Sequence, residues 1–309
     1  MSDERIDAGQ APRDPEEAEV AATATVAEIP AQTRLGPVHL SVADLERSIA
    51  YYREAVGLEQ RSAGDDGHVV LGSAGRDLLV LEEQPGARPA DGYTGLYHYA
   101  LLVPERRDLA GWLAHAARDR VSLTGLSDHF VSEAIYLRDP DGHGIEIYWD
   151  RPRSVWEGQV GERLTTLPLD VDDLFGVLED PASEPFHGLP AGTVMGHVHL
   201  RVAEVAPVVG FYRDRLGFGL MAQLGSSAAF LAAGGYHHHL GANTWESAGA
   251  PPAPPGSATL RHFTIVLPSP ADRDALVGRL ESAGLAVDGG PSGPMVADPS
   301  GNRMLLTAD

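Results

Sequence analysis

The chain has 309 residues, 43% of them hydrophobic, with a formal net charge of −21 and neither cysteine nor lysine. That length predicts two or three domains. The missing cysteines exclude disulfides, thiolate catalysis and Cys-based zinc or iron–sulfur sites, and the acidic surface repels nucleic acid and anionic membranes. No apolar run approaches the ~20 residues of a membrane span, and the acidic N-terminus is no signal peptide, so a cytoplasmic location is expected.

Residues 1–33 are rich in Ala, Asp, Glu and Pro and lack aromatics. Such a stretch cannot bury enough apolar surface to offset its ordering entropy, and a disordered tail is expected. Pro37 to Val42 alternates as a strand. Asp44 then caps a helix carrying Leu45, Ile49, Tyr52 and Val56 at helical spacing, and Gly57 stops it. Strands are expected at 58–62, 68–71 and 77–81, which makes one βαβββ unit. The pattern repeats with a strand at 96–103, a helix at 105–120 and a closing segment at 130–148. A Pro-rich connection over 150–192 contains one helix near 170–178, and a loop of that length crosses between domains or over a site.

The second half repeats the first. Val38-His39-Leu40-Ser41-Val42-Ala43-Asp44 matches Val198-His199-Leu200-Arg201-Val202-Ala203-Glu204 at an offset of 160. Asp139-Pro140-Asp141-Gly142 likewise matches Asp298-Pro299-Ser300-Gly301. Four βαβββ modules follow, grouped 1-2 and 3-4, with a Pro-rich link over 250–255 between modules 3 and 4. The expected division is a tail at 1–33, an N-terminal domain at 34–153, a linker at 154–192 and a C-terminal domain at 193–309.

The chemistry gathers on 128–148. Asp139 to Gly142 supplies a tight turn between two strands. Alternation puts Glu146 and Tyr148 on one face and Ile145 and Ile147 on the other. His129 and Tyr136 precede the turn; His143 lies within it and is expected to face solvent. His98, His197 and His262 sit at equivalent strand starts, where module 1 has Pro37 and its nearest imidazole is His39. Two histidines with Glu146 form a donor set that suits octahedral Fe(II) or Mn(II) with open positions. In Tyr236-His237-His238-His239, read as the last strand of module 3, His237 and His239 share a face and His238 points away.

Four such modules, with DPDG before a strand glutamate and histidines opening strands, resemble the vicinal oxygen chelate superfamily (glyoxalases, bleomycin-resistance proteins and extradiol dioxygenases) over residues 35–307. DHFVSEAIYLRDPDGHGIEIYWDRPR and GGYHHHLGANTW look closest to catechol 2,3-dioxygenases of the Bacillus type. The resemblance implies an α+β fold, with the four modules in two glyoxalase-like domains forming cupped mixed β-sheets. It implies Fe(II), or Mn(II) or another divalent metal in its place, and a small aromatic diol and O2 as reaction partners. His129 would be the general acid/base, and Tyr136, ten residues before Glu146, would hydrogen-bond the diol. Module 4 departs from the pattern, with Leu305 and Met295 where Glu and Tyr belong. The complete ligand set is therefore His98 and Glu146 of module 2 with His197 of module 3, and His239 is a fourth candidate. Pairing of modules 2 and 3 is the expectation; pairing of 1 and 2, with His39 as substitute ligand, is the alternative. A redox-free glyoxalase or isomerase with four protein ligands, and a non-catalytic binding or resistance protein, remain the other readings. A homo-oligomer is compatible with all three.

Overall fold

The computed structural model describes residues 27–64, 67–290 and 292–309. Module 1 comprises β1 (Arg34–Val42), α1 (Leu45–Tyr51), β2 (Glu59–Ala63), β3 (His68–Ser73) and β4 (Arg76–Glu83), followed by a short β5 (Arg88–Pro89). Module 2 comprises β6 (Gly95–Leu102), α2 (Arg106–Asp119), β7 (Leu123–Asp128), β8 (Ser132–Arg138) and β9 (Gly144–Asp150). The connection holds α3 (Arg153–Trp156), α4 (Val160–Arg163), β10 (Leu167–Pro168) and α5 (Val171–Phe175). Module 3 is β11 (Val194–Arg201), α6 (Val205–Gly210), β12 (Gly219–Leu224), β13 (Ala228–Ala232) and β14 (Leu240–Asn243). After β15 (Ser257–Ala258), module 4 is β16 (Leu260–Leu267), α7 (Pro270–Ser282), β17 (Asp288–Gly290), β18 (Gly293–Ala297) and β19 (Arg303–Ala308).

The local signals act as physical chemistry dictates. Asp44 accepts the Arg47 N–H at the start of α1, satisfying one orphan donor. The first helices of modules 1 and 3 each end in a π turn, closed by Gly57 (φ 91°) and Gly217 (φ 92°). A side chain would be strained in that left-handed conformation, and at position 57 it would also run into Phe186. Ile135, Leu137, Ile145 and Ile147 are buried in one large core, as their alternation requires.

The strands assemble into two large mixed sheets, each drawing one module from each half of the chain. Modules 2 and 3 form a nine-stranded sheet, ordered β10-β7-β8-β9-β6-β11-β14-β13-β12. Modules 1 and 4 form an eight-stranded sheet, ordered β17-β18-β19-β16-β1-β4-β3-β2. The seams are the antiparallel pairs β6–β11 and β1–β16. Neighbouring modules in sequence grip each other elsewhere. The Tyr52 hydroxyl donates to Asp139 at 2.8 Å, and its counterpart Tyr212 donates to Asp298 at 3.2 Å.

Several details depart from expectation. Of the expected tail, residues 1–26 lie outside the described residues. Residues 27–33 pack on module 3, where Ile29 is buried and donates its N–H to the Gly217 carbonyl. His143 is buried, not exposed, because its Nε2 lies 3.0 Å from the Ser41 carbonyl and ties this turn to module 1. No strand forms over 236–239; the turn at Gly234 and Gly235, both at positive φ, delays β14 until Leu240. Among the described residues no helix is long and apolar enough to cross a membrane.

Candidate metal centre

Three donors converge where β6, β9 and β11 lie side by side. His98 Nε2 and His197 Nε2 each stand 3.0 Å from Glu146 Oε2, and 3.3 Å from one another. All three side chains are buried. The register explains the meeting: β6 lies between β9 and β11, with Ala100 beside Glu146 on one edge and His197 on the other. Burial alone would raise the Glu146 pKa, but the imidazoles of His197 and His98 outweigh it and hold the carboxyl well below its usual range. Burial pushes the His197 pKa down against the pull of Glu146. Glu146 thus supplies an anionic oxygen, and burial favours the neutral, ligating form of His197. Donors bonded at ~2.1 Å to one ion lie about 3.0 Å apart on adjacent octahedral positions and about 3.4 Å apart in a tetrahedron. The two separations to Glu146 match adjacent octahedral positions, and the 3.3 Å between the imidazoles lies nearer the tetrahedral spacing.

Two glycines make room for this centre. A Cβ on Gly196 would fall on the Tyr148 hydroxyl, whose ring packs against His197. A Cβ on Gly241 would come within 2.7 Å of the His199 ring.

His129 and Tyr136 meet beside the triad. His129 occupies the tight turn between β7 and β8, and Tyr136 pairs with Glu146 across β8 and β9. The Tyr136 hydroxyl lies 2.7 Å from His129 Nε2, and His129 Nδ1 lies 2.8 Å from the Thr165 carbonyl. A carbonyl only accepts, so Nδ1 carries the proton; in the neutral ring Nε2 is then an acceptor and Tyr136 donates to it. Burial, then the charge of Glu146, lifts the Tyr136 pKa well above 10, keeping the phenol protonated. Asp128 does not orient His129. It caps the Phe130 N–H and is held by both terminal nitrogens of Arg151 at 2.8 and 2.9 Å. The orienting group comes from the connection, which lays β10 against β7 and brings Thr165 and Thr166 over the site.

The histidine run is arranged differently from a strand. His239 lies away from the triad: its Nδ1 accepts the Ala233 N–H and its ring packs on Tyr236. It is not among the grouped donors, which are His98, Glu146 and His197. His238 is the member that faces the centre, with its ring 4.2 Å from that of His197. Asp150 accepts from His237 Nε2 at 2.7 Å, and His237 Nδ1 lies 2.8 Å from His238 Nδ1. With His238 Nδ1 engaged by His237, Nε2 is the ring nitrogen of His238 left for the cavity. Asp150 also accepts from the Tyr236 hydroxyl, which neighbours that of Tyr148 at 2.9 Å.

A cavity of about 670 Å³ opens onto the triad, with Tyr97, Phe230 and Trp245 among its walls. Trp156, by contrast, packs in a separate small cluster, and Trp149 lies against the main core. His199 also lines the cavity, and its Nε2 has no hydrogen-bond partner among the described residues. Sequence reasoning passed over His199, His238 and Thr165. The spacing of His197 and His199, two apart on one strand, was the signal available for His199. His39, the alternative ligand, stands in the other sheet and plays no part here.

Comparison with known proteins shows which family the chain resembles. The family model described as glyoxalase/bleomycin resistance protein/dioxygenase superfamily matches residues 34–147 and 194–306. The chain is 39% identical over 272 residues to the catechol-2,3-dioxygenase of Bacillus subtilis, covering 86% of this chain and 94% of that one. Glyoxalase I of Zea mays superposes with a TM-score of 0.55 at 17% identity, over 90% of this chain and 92% of that one. A Bacillus subtilis structure carrying a provisional dioxygenase label gives 0.61 at 16%, over 92% and 86%. At such identities the two structural likenesses speak for the fold alone.

Proposed function

The chain belongs to the glyoxalase/bleomycin resistance protein/dioxygenase superfamily, and from that premise we propose that it is an Fe(II)-dependent extradiol dioxygenase acting on catechol-type diols. The observation that carries the reading is the convergence of His98, His197 and Glu146, with no fourth donor grouped with them among the described residues. Three protein ligands leave room for both diol oxygens and for O2. His239, the fourth ligand expected for a glyoxalase-type centre, is turned to the Ala233 N–H and is not grouped with these donors.

Held by His98, His197 and Glu146, iron(II) would supply the positions at which diol and O2 meet and the electrons pass between them. The protein's own groups do the rest. The aromatic walls of the cavity match a flat ring. The Tyr136 hydroxyl, aimed at His129 Nε2, passes a diol proton into that imidazole, while the Thr165 carbonyl fixes the ring's tautomer. His238, kept neutral by burial, leaves its Nε2 for the same cavity. Ring opening breaks the carbon–carbon bond beside the diol and places both atoms of O2 in a semialdehyde of a muconic acid, so no external reductant is needed.

The test is to load the protein anaerobically with Fe(II), add a panel of catechols, admit air and follow the yellow ring-opened product. Colour from at least one catechol is expected. No colour from any of them, with iron retained by the protein, would sink the reading.

A further inference from the structure

The second sheet carries a donor cluster of its own, away from the centre described above. His39 on β1, His68 on β3 and Glu82 on β4 place one ligand atom each within 4.8 Å of one another. Register puts them on one face. His68 stands opposite Glu82 across β3 and β4, and His39 lies beside Val80, two residues before Glu82 on β4. His39 Nε2 is 3.6 Å from Glu82 Oε2, and the His39 and His68 rings meet edge to face at 4.9 Å. His262 on β16 is the cross-strand neighbour of His39, also with ring centroids 4.9 Å apart.

This cluster is not a worn copy of the first centre. The 160-residue repeat and the matching strand registers put His262, Leu305 and Pro37 where His98, Glu146 and His197 stand. The counterparts of His39, His68 and Glu82 in the first sheet are His199, Ala228 and Asn243. The donors therefore run outward from β1 onto β4 and β3, on positions the first centre does not use. We propose that His39, His68 and Glu82 bind one divalent cation of the zinc class, with His262 beside them at the seam between β1 and β16.

The donor chemistry supports that class, since two imidazoles and one carboxylate suit zinc or cobalt better than magnesium or calcium. The 3.6 Å separation is close to the ~3.4 Å expected between two donors of a tetrahedral ion. Glu82 has its orienting partner in place: Arg261 Nε donates to Oε2 at 3.1 Å, and Arg261 is itself held by Gln84 at 2.7 Å. Glu82 is over a third exposed at its side chain, which gives an ion a way in. A bound ion would pin β1, β3 and β4 together at the seam where the chain's two halves join.

The experiment uses the full chain, stripped with chelator and titrated with Zn2+ alone, bound metal being counted by mass spectrometry after desalting. The wild type should bind two equivalents. His197→Ala should retain one, and that one should raise its Tm. His68→Ala and Glu82→Gln should each lose the outer equivalent or bind it at least ten-fold more weakly, with unchanged Tm in chelator as the check on folding. A single equivalent in the wild type that disappears in His197→Ala would overturn the proposal, as would two equivalents in both outer-site variants. Neither result bears on ring cleavage, which rests on the other sheet.

Discussion

The two sheets are built from the same module and differ at the few positions where chemistry resides. In the sheet of modules 2 and 3, the seam between β6 and β11 brings two imidazoles and a carboxylate to one point. In the sheet of modules 1 and 4, the equivalent positions hold His262, Leu305 and Pro37, so two of three ligands are gone while the backbone pairing persists. The repeat conserves what packs: the tyrosine-to-aspartate grip on each turn, the closing glycine of each first helix and the apolar inner face. Donor placement is a separate layer of information, written on a scaffold that folds with or without it.

The largest effect should come from removing one ligand on each side. His197→Ala is expected to abolish ring cleavage, with turnover down at least about 1,000-fold, and to release iron. His39→Ala, in the other sheet, should leave turnover and iron within about two-fold of the wild type. Equal losses in both variants would erase the distinction between the sheets.

Tyr136→Phe comes next. It keeps the ring and removes the hydroxyl that donates to His129, so kcat should fall by about 100-fold while iron content stays at the wild-type value. Parallel loss of iron would make Tyr136 a support for the ligands and not a proton carrier.

A packing contrast follows at smaller scale. Gly196 and Gly36 occupy the same repeat position. A methyl group at 196 would overlap the Tyr148 hydroxyl, whereas at 36 it would approach the Thr264 and Val266 methyls at 3.0 Å. Gly196→Ala should lower stability by about 1–3 kcal/mol in denaturant unfolding, through overpacking beside His197. Gly36→Ala should cost visibly less, because side-chain methyls can shift by a few tenths of an ångström.

The smallest effect expected is on acid stability. Burial, with His237 and His197 nearby, brings the His239 pKa down to about 3. The unfolded chain takes up that proton near the ordinary value of about 6.5. Neutral His239 therefore contributes stability that is complete above about pH 6.5 and is lost as the pH falls toward about 3. His262, with its pKa near 4, does the same in the other sheet over a narrower window. His239→Gln should flatten the fall of Tm between about pH 6.5 and 4, and His262→Gln should do so less. A steeper fall in either variant would contradict the assignment.

Much of this was legible in the chain itself. The offset of 160 between the Val38 and Val198 segments exposes the modules, and alternation puts Glu146 and Tyr136 on the cavity face of their strands. The counting of ligands by module already pointed to modules 2 and 3 as partners. What escaped depends on backbone that carries no periodic signal. Tyr236 to His239 follows a glycine turn, so a period of two assigns the wrong histidine to the centre. Thr165 reaches His129 by a main-chain carbonyl, which any residue type could offer. The burial of His143 follows from a contact with Ser41, 102 residues away. The cluster of His39, His68 and Glu82 needs three strands in register before it exists at all.

Under the proposed function, the sheet of modules 2 and 3 consumes O2 to open a diol ring. That claim is tested most directly with an oxygen electrode, on the anaerobically iron-loaded protein given a limiting amount of its best catechol and no added reductant. One O2 consumed per ring opened, with no uptake by His197→Ala, is the predicted result. Product formed without O2 uptake, or uptake undiminished in His197→Ala, would contradict it.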